Sequence, residues 1–269
     1  MKNSARFAGQ TVWITGASSG IGEACARAFA DEGAQLILSA RRRSELERVA
    51  SGCVRPGVSA PRVECMDLDD TESLAGVVAR VLTNHPNIDV MVHNAGLSQR
   101  SRAIETAIDV DERLMRVNYL GPVALTKALL PSMVARRRGH FVVVTSLVGV
   151  FGTPMRSSYS ASKHALHGFF DSLRAEHTED QLKVTVVCPG FVQTDVSRNA
   201  LTGDGSPQGS MDPGTAKGIT ADTCAARMLD AIAQGRQEVY VGGAERFAVY
   251  VKRYVPRVFS ALIARAKVT

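Results

Sequence analysis

The sequence predicts a single-domain, doubly wound α/β protein with a seven-stranded parallel sheet and helices on both faces. Seven short apolar runs alternate with stretches of helical periodicity along nearly all of its 269 residues. The runs are continuously apolar, as strands buried on both faces must be. The polar and glycine-rich motifs fall just after the carboxyl ends of these runs, where such sheets bind ligands.

Taken in order, Val12–Thr15 reads as the first buried strand and Gly20–Glu32 as a helix. Leu36–Leu38 is the second strand, followed by a charged helix from Arg43. Arg62–Met66 is the third strand, Thr71–Asn84 a helix and Ile88–His93 the fourth strand. One long helix is expected over Val110–Arg136. Phe141–Thr145 is the fifth strand, Ser157–Glu179 a second long helix and Val184–Val187 the sixth strand. Ala221–Gln234 is a helix and Glu238–Val241 the seventh strand. Right-handed crossovers leave few topologies for this order. Asn199–Gly218 breaks the rhythm, being rich in Gly, Pro, Ser and Asp. It is too long for an ordinary connector, so it is a substrate lid (residues 197–219 at most) or a disordered insertion. From residue 244 to 269 an amphipathic tail mixes Phe247, Val251, Val255, Phe259 and Leu262 with Lys252, Arg253, Arg257 and Arg265. A tail of this kind, broken near Pro256, packs on the domain or a partner subunit, or lies on a membrane surface.

Formal charge is +6, with Arg41–Arg43 and Arg136–Arg138 as local clusters. The second reads as a solvated helix end. No nucleic-acid motif accompanies the charge, so nucleic acid is not an expected partner. Five cysteines without a C-x-x-C pair predict neither a disulfide framework nor a metal centre, and fit a reducing, cytoplasmic setting. No signal peptide is seen in Met1–Gln10, and no run of about 18 apolar residues predicts a membrane span.

The turn Thr15-Gly16-Ala17-Ser18-Ser19-Gly20-Ile21-Gly22 joins the first strand to the first helix. Its glycines allow a sharp turn and close approach of a ligand, and the helix amino terminus offers N–H groups to a pyrophosphate. Gly16, Ser18, Ser19, Gly20, Ile21 and Gly22 are therefore candidate nucleotide contacts in a Rossmann fold, against the plainer reading of a tight turn with close helix packing. The second strand ends in Arg41 and Arg42 where an NAD site usually carries an acid for the ribose hydroxyls. A guanidinium there suits a 2′-phosphate, so NADP(H) is expected over NAD(H). The alternative is a solvated arginine at a helix entry.

Tyr159 and Lys163 share one face of the second long helix. An ammonium one turn away favours the phenolate and would bring a group of pKa about 10 toward neutral pH. Alone, this spacing is more often a surface hydrogen bond. Ser146 follows the fifth strand at the same sheet edge, where its hydroxyl could hold a substrate oxygen. Asn118 lies within the first long helix, where an amide side chain costs propensity unless it has a partner. Asn94-Ala95-Gly96 closes the fourth strand with small residues, and Pro189-Gly190 closes the sixth, before Phe191-Val192-Gln193-Thr194.

With Asp67-Leu68 after the third strand, these ordered motifs resemble the short-chain dehydrogenase/reductase family over about Thr11–Val241. The resemblance implies an oxidoreductase that moves a hydride between a nicotinamide dinucleotide and a carbonyl or alcohol. Tyr159 would be the general acid or base, and Lys163 would bind the nicotinamide ribose and lower the tyrosine pKa. Ser146 would orient the carbonyl and Asn118 would hold a relay water. Asp67 and Leu68 would flank the adenine, Asn94, Ala95, Gly96, Pro189 and Gly190 would lie against the cofactor, and Val192 and Thr194 would hold the nicotinamide carboxamide. His93 departs from the family's usual asparagine, and Ser19 from the basic residue of many NADP-specific members. The run from Arg156 to Asp171 is similar to the branch holding dehydrogenase/reductase member 7B and the 11β-hydroxysteroid dehydrogenases. The family also implies a homodimer or homotetramer built on its two long helices, and the branch implies peripheral membrane contact.

Leu97, Leu147, Phe151 and Phe191 are the expected substrate contacts, predicting a mostly apolar substrate. Arg156 reads as a surface arginine in preference to a partner for an acidic substrate group. The competing functional class is a dinucleotide-binding regulator or scaffold without turnover, against which the combination Asn118, Ser146, Tyr159 and Lys163 argues.

Overall fold

The computed structural model describes residues 5–266; Met1–Ser4 and the tail residues Lys267–Thr269 lie outside the described residues. The elements in order are β1 (Thr11–Thr15), α1 (Gly20–Asp31), β2 (Gln35–Ala40), α2 (Arg43–Gly52), β3 (Arg62–Cys65), α3 (Leu74–Asn84) and β4 (Val90–His93). There follow α4 (Ile108–Met115), a π turn (Arg116–Leu120), α5 (Gly121–Arg136), β5 (Gly139–Val144), α6 (Ser157–Glu176) and β6 (Leu182–Pro189). The chain closes with β7 (Val192–Gln193), α7 (Pro213–Ala216), β8 (Ile219–Thr220), α8 (Ala221–Ala233), β9 (Glu238–Val241), α9 (Ala248–Tyr254) and α10 (Pro256–Ile263).

Seven parallel strands form one sheet in the order β3-β2-β1-β4-β5-β6-β9. The strand order reverses direction between β1 and β4, so the sheet opens a crevice at their carboxyl ends. Alternate residues feed two cores. Trp13, Ile37, Met91 and Phe141 point to one face, where they meet Val78, Leu129 and Phe170 of α3, α5 and α6. Ile14, Leu38, Val92 and Val142 point to the other, where they meet Phe29, Leu46 and Met228 of α1, α2 and α8. The period of two along each strand explains how one apolar run serves both layers.

The long helix expected over Val110–Arg136 is not continuous. Between α4 and α5 the backbone takes a π turn that carries Asn118. Such an inserted residue keeps the helical direction while shifting side chains, so periodicity does not reveal it. Gly121 follows at once, and a Cβ there would lie 2.8 Å from the Leu68 carbonyl oxygen. The second long helix ends at Glu176, three residues short of the prediction.

The Asn199–Gly218 segment is folded across the carboxyl edge of the sheet. Leu201 forms backbone bridges with Gln99 and Pro207, and Pro213–Ala216 is a single helical turn. The tail packs through Val249 and Phe259, with the Phe259 and Phe151 ring centroids 5.1 Å apart. Phe247, Tyr250, Tyr254, Val255, Val258 and Leu262 are exposed. At the end of α5, Arg138 pairs with Asp89 at 2.9 Å and remains largely exposed. No helix among the described residues is long and apolar enough to cross a membrane.

Candidate active site

A cleft of about 870 Å³ runs along the carboxyl edge of the sheet from Arg41 and Arg42 to Phe151 and Phe191. It is lined by nearly every candidate residue that the sequence suggests: Gly16, Ser18, Ser19, Gly20 and Ile21 at the first turn, Asp67 and Leu68 after β3, and Asn94, Ala95 and Gly96 after β4. Ser146, Leu147, Tyr159, Lys163, Pro189, Gly190, Val192 and Thr194 line its other side. Two candidates do not line the cleft: Gly22 and Asn118 act from behind it.

The glycine turn is built for close approach. Gly16 has φ +66, and a Cβ on it would lie 2.8 Å from Ala95 Cα. A Cβ on Gly22 would lie 2.2 Å from the Gly16 carbonyl oxygen. Gly20, with φ +57, faces Thr194. Asn94 locks this arrangement: its Nδ2 donates to the Thr15 carbonyl at 3.0 Å, and the Asn94 and Ala95 N–H groups donate to Thr15 Oγ1 at 3.0 and 3.1 Å. The open amino end of α1 has no side-chain cap at Ser19, which leaves its N–H groups facing the cleft. These features fit a dinucleotide pyrophosphate. Arg41 and Arg42 are exposed at the same end of the cleft.

Asn118 is fully buried and its side chain is fully engaged. Its Oδ1 accepts from Leu97 N–H at 2.8 Å, and its Nδ2 donates to the Leu97 carbonyl at 2.9 Å and to Ser162 Oγ at 3.0 Å. It therefore ties the turn after β4 to α6, and the partner inferred from its helix position is identified.

Ser146 follows β5, and its hydroxyl donates to the Pro189 carbonyl at 3.3 Å and accepts from the Val148 N–H at 3.3 Å, beside Tyr159 in the same cleft. Burial pushes the Tyr159 pKa upward; the Ser146 hydroxyl and the nearby Arg156 and Arg100 guanidinium groups oppose the shift. Lys163 lines the same cleft, one turn along α6 from Tyr159. Its Nζ donates to the Val144 carbonyl at 2.9 Å and lies 5.9 Å from the Tyr159 ring centroid. Burial lowers its pKa to about 8. Lys163, Arg156 and Arg100 are the cations around Tyr159 in this geometry.

Arg156 corrects the surface reading. Only 5% of it is exposed, and its Nη2 lies 3.5 Å from Asp212 Oδ2. Arg100 Nε donates to the same oxygen at 2.8 Å, and Gln208 Nε2 donates to Asp212 Oδ1 at 2.9 Å. Burial and Arg100 lower the Arg156 pKa to about 10, against the pull of Asp212 and Tyr159. Burial would raise the Asp212 carboxyl, but the bonds from Arg100 and Gln208 hold it below its usual range. Sequence alone does not reveal this burial, because the partner comes from a segment more than fifty positions later.

Three further residues carry no motif that would mark them in the sequence. Gln99 Oε1 accepts from Ser158 and Tyr159 N–H at 2.9 and 3.1 Å, which fixes the first turn of α6. Arg100 and Glu245 both line the cleft. Glu245 Oε1 accepts from Phe191 N–H at 3.1 Å and holds the loop after β6. Gln99 and Arg100 follow the Asn94 turn closely, and that position at the sheet edge was the available signal; Glu245 had none.

The family model for short chain dehydrogenases matches residues 10–204. The chain belongs to the short-chain dehydrogenase/reductase family. It is 46% identical over 263 residues to the dehydrogenase/reductase SDR family protein 7-like of Anopheles gambiae, covering 96% of this chain and 83% of that one. It is 41% identical over 268 residues to dehydrogenase/reductase SDR family member 7B of Mus musculus, covering 98% and 83%. Among solved structures, the alcohol dehydrogenase of Thermococcus sibiricus, complexed with 5-hydroxy-NADP, is 28% identical with TM-score 0.74, covering 87% of this chain and 97% of that one. The family places the chain among nucleotide-binding oxidoreductases of Rossmann fold, and the relatives place it in the member 7 branch.

Proposed function

We propose that the protein is an NADP(H)-dependent oxidoreductase that interconverts a carbonyl and an alcohol on a mostly apolar substrate, with Tyr159 as the proton donor or acceptor. The observation that carries this reading is the convergence of Ser146, Tyr159 and Lys163 on the same cleft as the glycine turn. When bound, the dinucleotide supplies or accepts the hydride. Gly16, Gly20 and the α1 amino end would hold its pyrophosphate, Arg41 and Arg42 its 2′-phosphate, and Asp67 and Leu68 its adenine. Lys163 would hold the ribose, and Val192 and Thr194 the carboxamide.

In reduction, the Tyr159 hydroxyl gives its proton to the carbonyl oxygen, which Ser146 holds in place. The raised pKa of Tyr159 keeps that proton on the phenol at neutral pH, as a donor requires. In oxidation the phenolate takes the alcohol proton, and Arg156 and Arg100 favour that form. The Asn118 side chain is taken up by Leu97 and Ser162, so a proton relay past it would use its main chain. Leu97, Leu147, Phe151 and Phe191 give the substrate end an apolar wall. The Asn199–Gly218 segment acts as the lid, latched through Asp212. The long helices α5 and α6 form the surface of a homodimer or homotetramer, which light scattering tests.

The deciding experiment is an NADPH-oxidation screen over aliphatic ketones, aldehydes and steroid ketones with wild type and Tyr159→Phe. The variant is expected to bind NADPH, read by quenching of Trp13 fluorescence, and to lose turnover by about 10²–10⁴-fold. Wild-type turnover in Tyr159→Phe would refute the mechanism, and cofactor binding with no turnover on any carbonyl in wild type would favour a regulator.

A further inference from the structure

One turn further along the catalytic helix, three metal-ligating side chains from three elements converge. His167 lies one turn beyond Lys163 on α6, Cys188 immediately precedes Pro189 on β6, and Glu238 opens β9. Cys188 Sγ is 3.7 Å from His167 Nε2 and 3.7 Å from Glu238 Oε1, and His167 Nδ1 is 3.7 Å from Glu238 Oε1. One ligand atom from each residue can be chosen so that all lie within 4.8 Å of one another. Bonds of about 2.0–2.3 Å to a tetrahedral zinc ion put its ligand atoms roughly 3.3–3.6 Å apart. One imidazole offers a single nitrogen to the ion, so the side chains must close by roughly 1 Å to complete a coordination triangle.

We propose that His167, Cys188 and Glu238 form a zinc site, with water as the fourth ligand. The donor set selects the metal: one thiol, one imidazole and one carboxylate suit zinc, whereas magnesium and calcium prefer oxygen alone. The access is right as well. Cys188 is fully buried, but the Glu238 side chain is 42% exposed and the His167 side chain 18%, so an ion enters from the carboxylate side. The thiol proton leaves to solvent as the Zn–S bond forms, and a thiolate with a carboxylate balances the two charges of the ion. Thr145 Oγ1, 3.2 Å from Cys188 Sγ and 3.1 Å from His167 Nε2, supports both ligands. Lys163 and Asp171 are the other charged groups acting on His167, and Asp171 is engaged by Arg174 at 2.7 Å. Zinc here pins α6 to β6 and β9 next to the Pro189-Gly190 loop.

The test uses the full chain, stripped with a chelator, reloaded with Zn²⁺ and desalted. Metal analysis is expected to find one zinc per chain, and thermal unfolding to shift upward with added Zn²⁺. Co²⁺ in its place is expected to give a thiolate-to-metal charge-transfer band. Cys188→Ser is expected to abolish that band. Glu238→Gln, at a partly exposed position that leaves the fold intact, is expected to weaken Zn²⁺ binding at least tenfold. Failure to retain stoichiometric zinc, or an unchanged Co²⁺ band in Cys188→Ser, overturns the assignment. These readouts need no turnover, so they stand or fall apart from the catalytic reading.

Discussion

Asp212 presents one carboxylate oxygen to two guanidinium groups, with Arg100 Nε at 2.8 Å and Arg156 Nη2 at 3.5 Å. All three residues are at least nine-tenths buried. Removing one member of a buried, hydrogen-bonded ion pair costs about 3–5 kcal/mol, because the remaining charge loses its compensation. Asp212→Asn is expected to lose about 3 kcal/mol in urea unfolding, at the lower end of that range. It is also expected to raise the rate of limited proteolysis within Asn199–Gly218, since Asp212 anchors that segment. An unchanged cleavage rate would show that the backbone bridges at Leu201 hold it unaided.

The glycines of the first turn separate sterics from backbone strain. Gly22→Ala places a Cβ 2.2 Å from a main-chain oxygen, so α1 must move relative to β1. NADPH affinity, read by Trp13 fluorescence, is expected to fall more than tenfold. Gly9 has φ +73, but no atom lies within 4 Å of the point a Cβ would occupy. Gly9→Ala is expected to cost only the left-handed backbone penalty of about 1–2 kcal/mol and to leave affinity unchanged.

His93 and His140 predict the acid limb of stability. Burial lowers their pKa values to about 3 and about 4, where an exposed histidine has 6.5. The folded state therefore binds fewer protons than the unfolded chain between those values. Stability is full above pH 6.5 and falls as pH drops toward 4, by up to about 1.4 kcal/mol per pH unit for each histidine. His93 Nε2 meets Thr126 Oγ1 at 2.9 Å while Nδ1 has no partner. His93→Asn is expected to reduce the slope of unfolding free energy between pH 6 and 5; an unchanged slope would assign it to other groups.

Arg41 carries the cofactor preference. Arg41→Asp is expected to reduce the ratio of kcat/KM for NADPH over NADH by at least tenfold, with kcat for NADH little changed. Equal efficiency with both cofactors in wild type would remove the preference altogether.

The strands were legible because a buried parallel strand needs a continuous apolar run, and each predicted run overlaps an observed strand. The residues lining the cleft were legible because they follow strand ends. The π turn was not, since Val117, Leu125 and Leu129 still reach the core on either side of an insertion of one residue. Nor were Asp212 and the burial of Arg156, because a polar segment carries no sign of which cation it will cover. Helical spacing sets the face of Lys163, while the Val144 carbonyl sets where its ammonium rests.

Gln99 bears on how far this catalytic helix can be moved between proteins. Its one carboxamide receives two N–H groups of the first turn of α6 and donates toward Ser101, Thr106 and Ser157. The register of Tyr159 is thus dictated by a residue sixty positions upstream. A transplant of residues 156–163 into another Rossmann scaffold would carry the letters of the motif and lose its starting point. The heritable unit is the helix together with the loop after the fourth strand, and chimeras cut between the two would exchange chemistry only by chance.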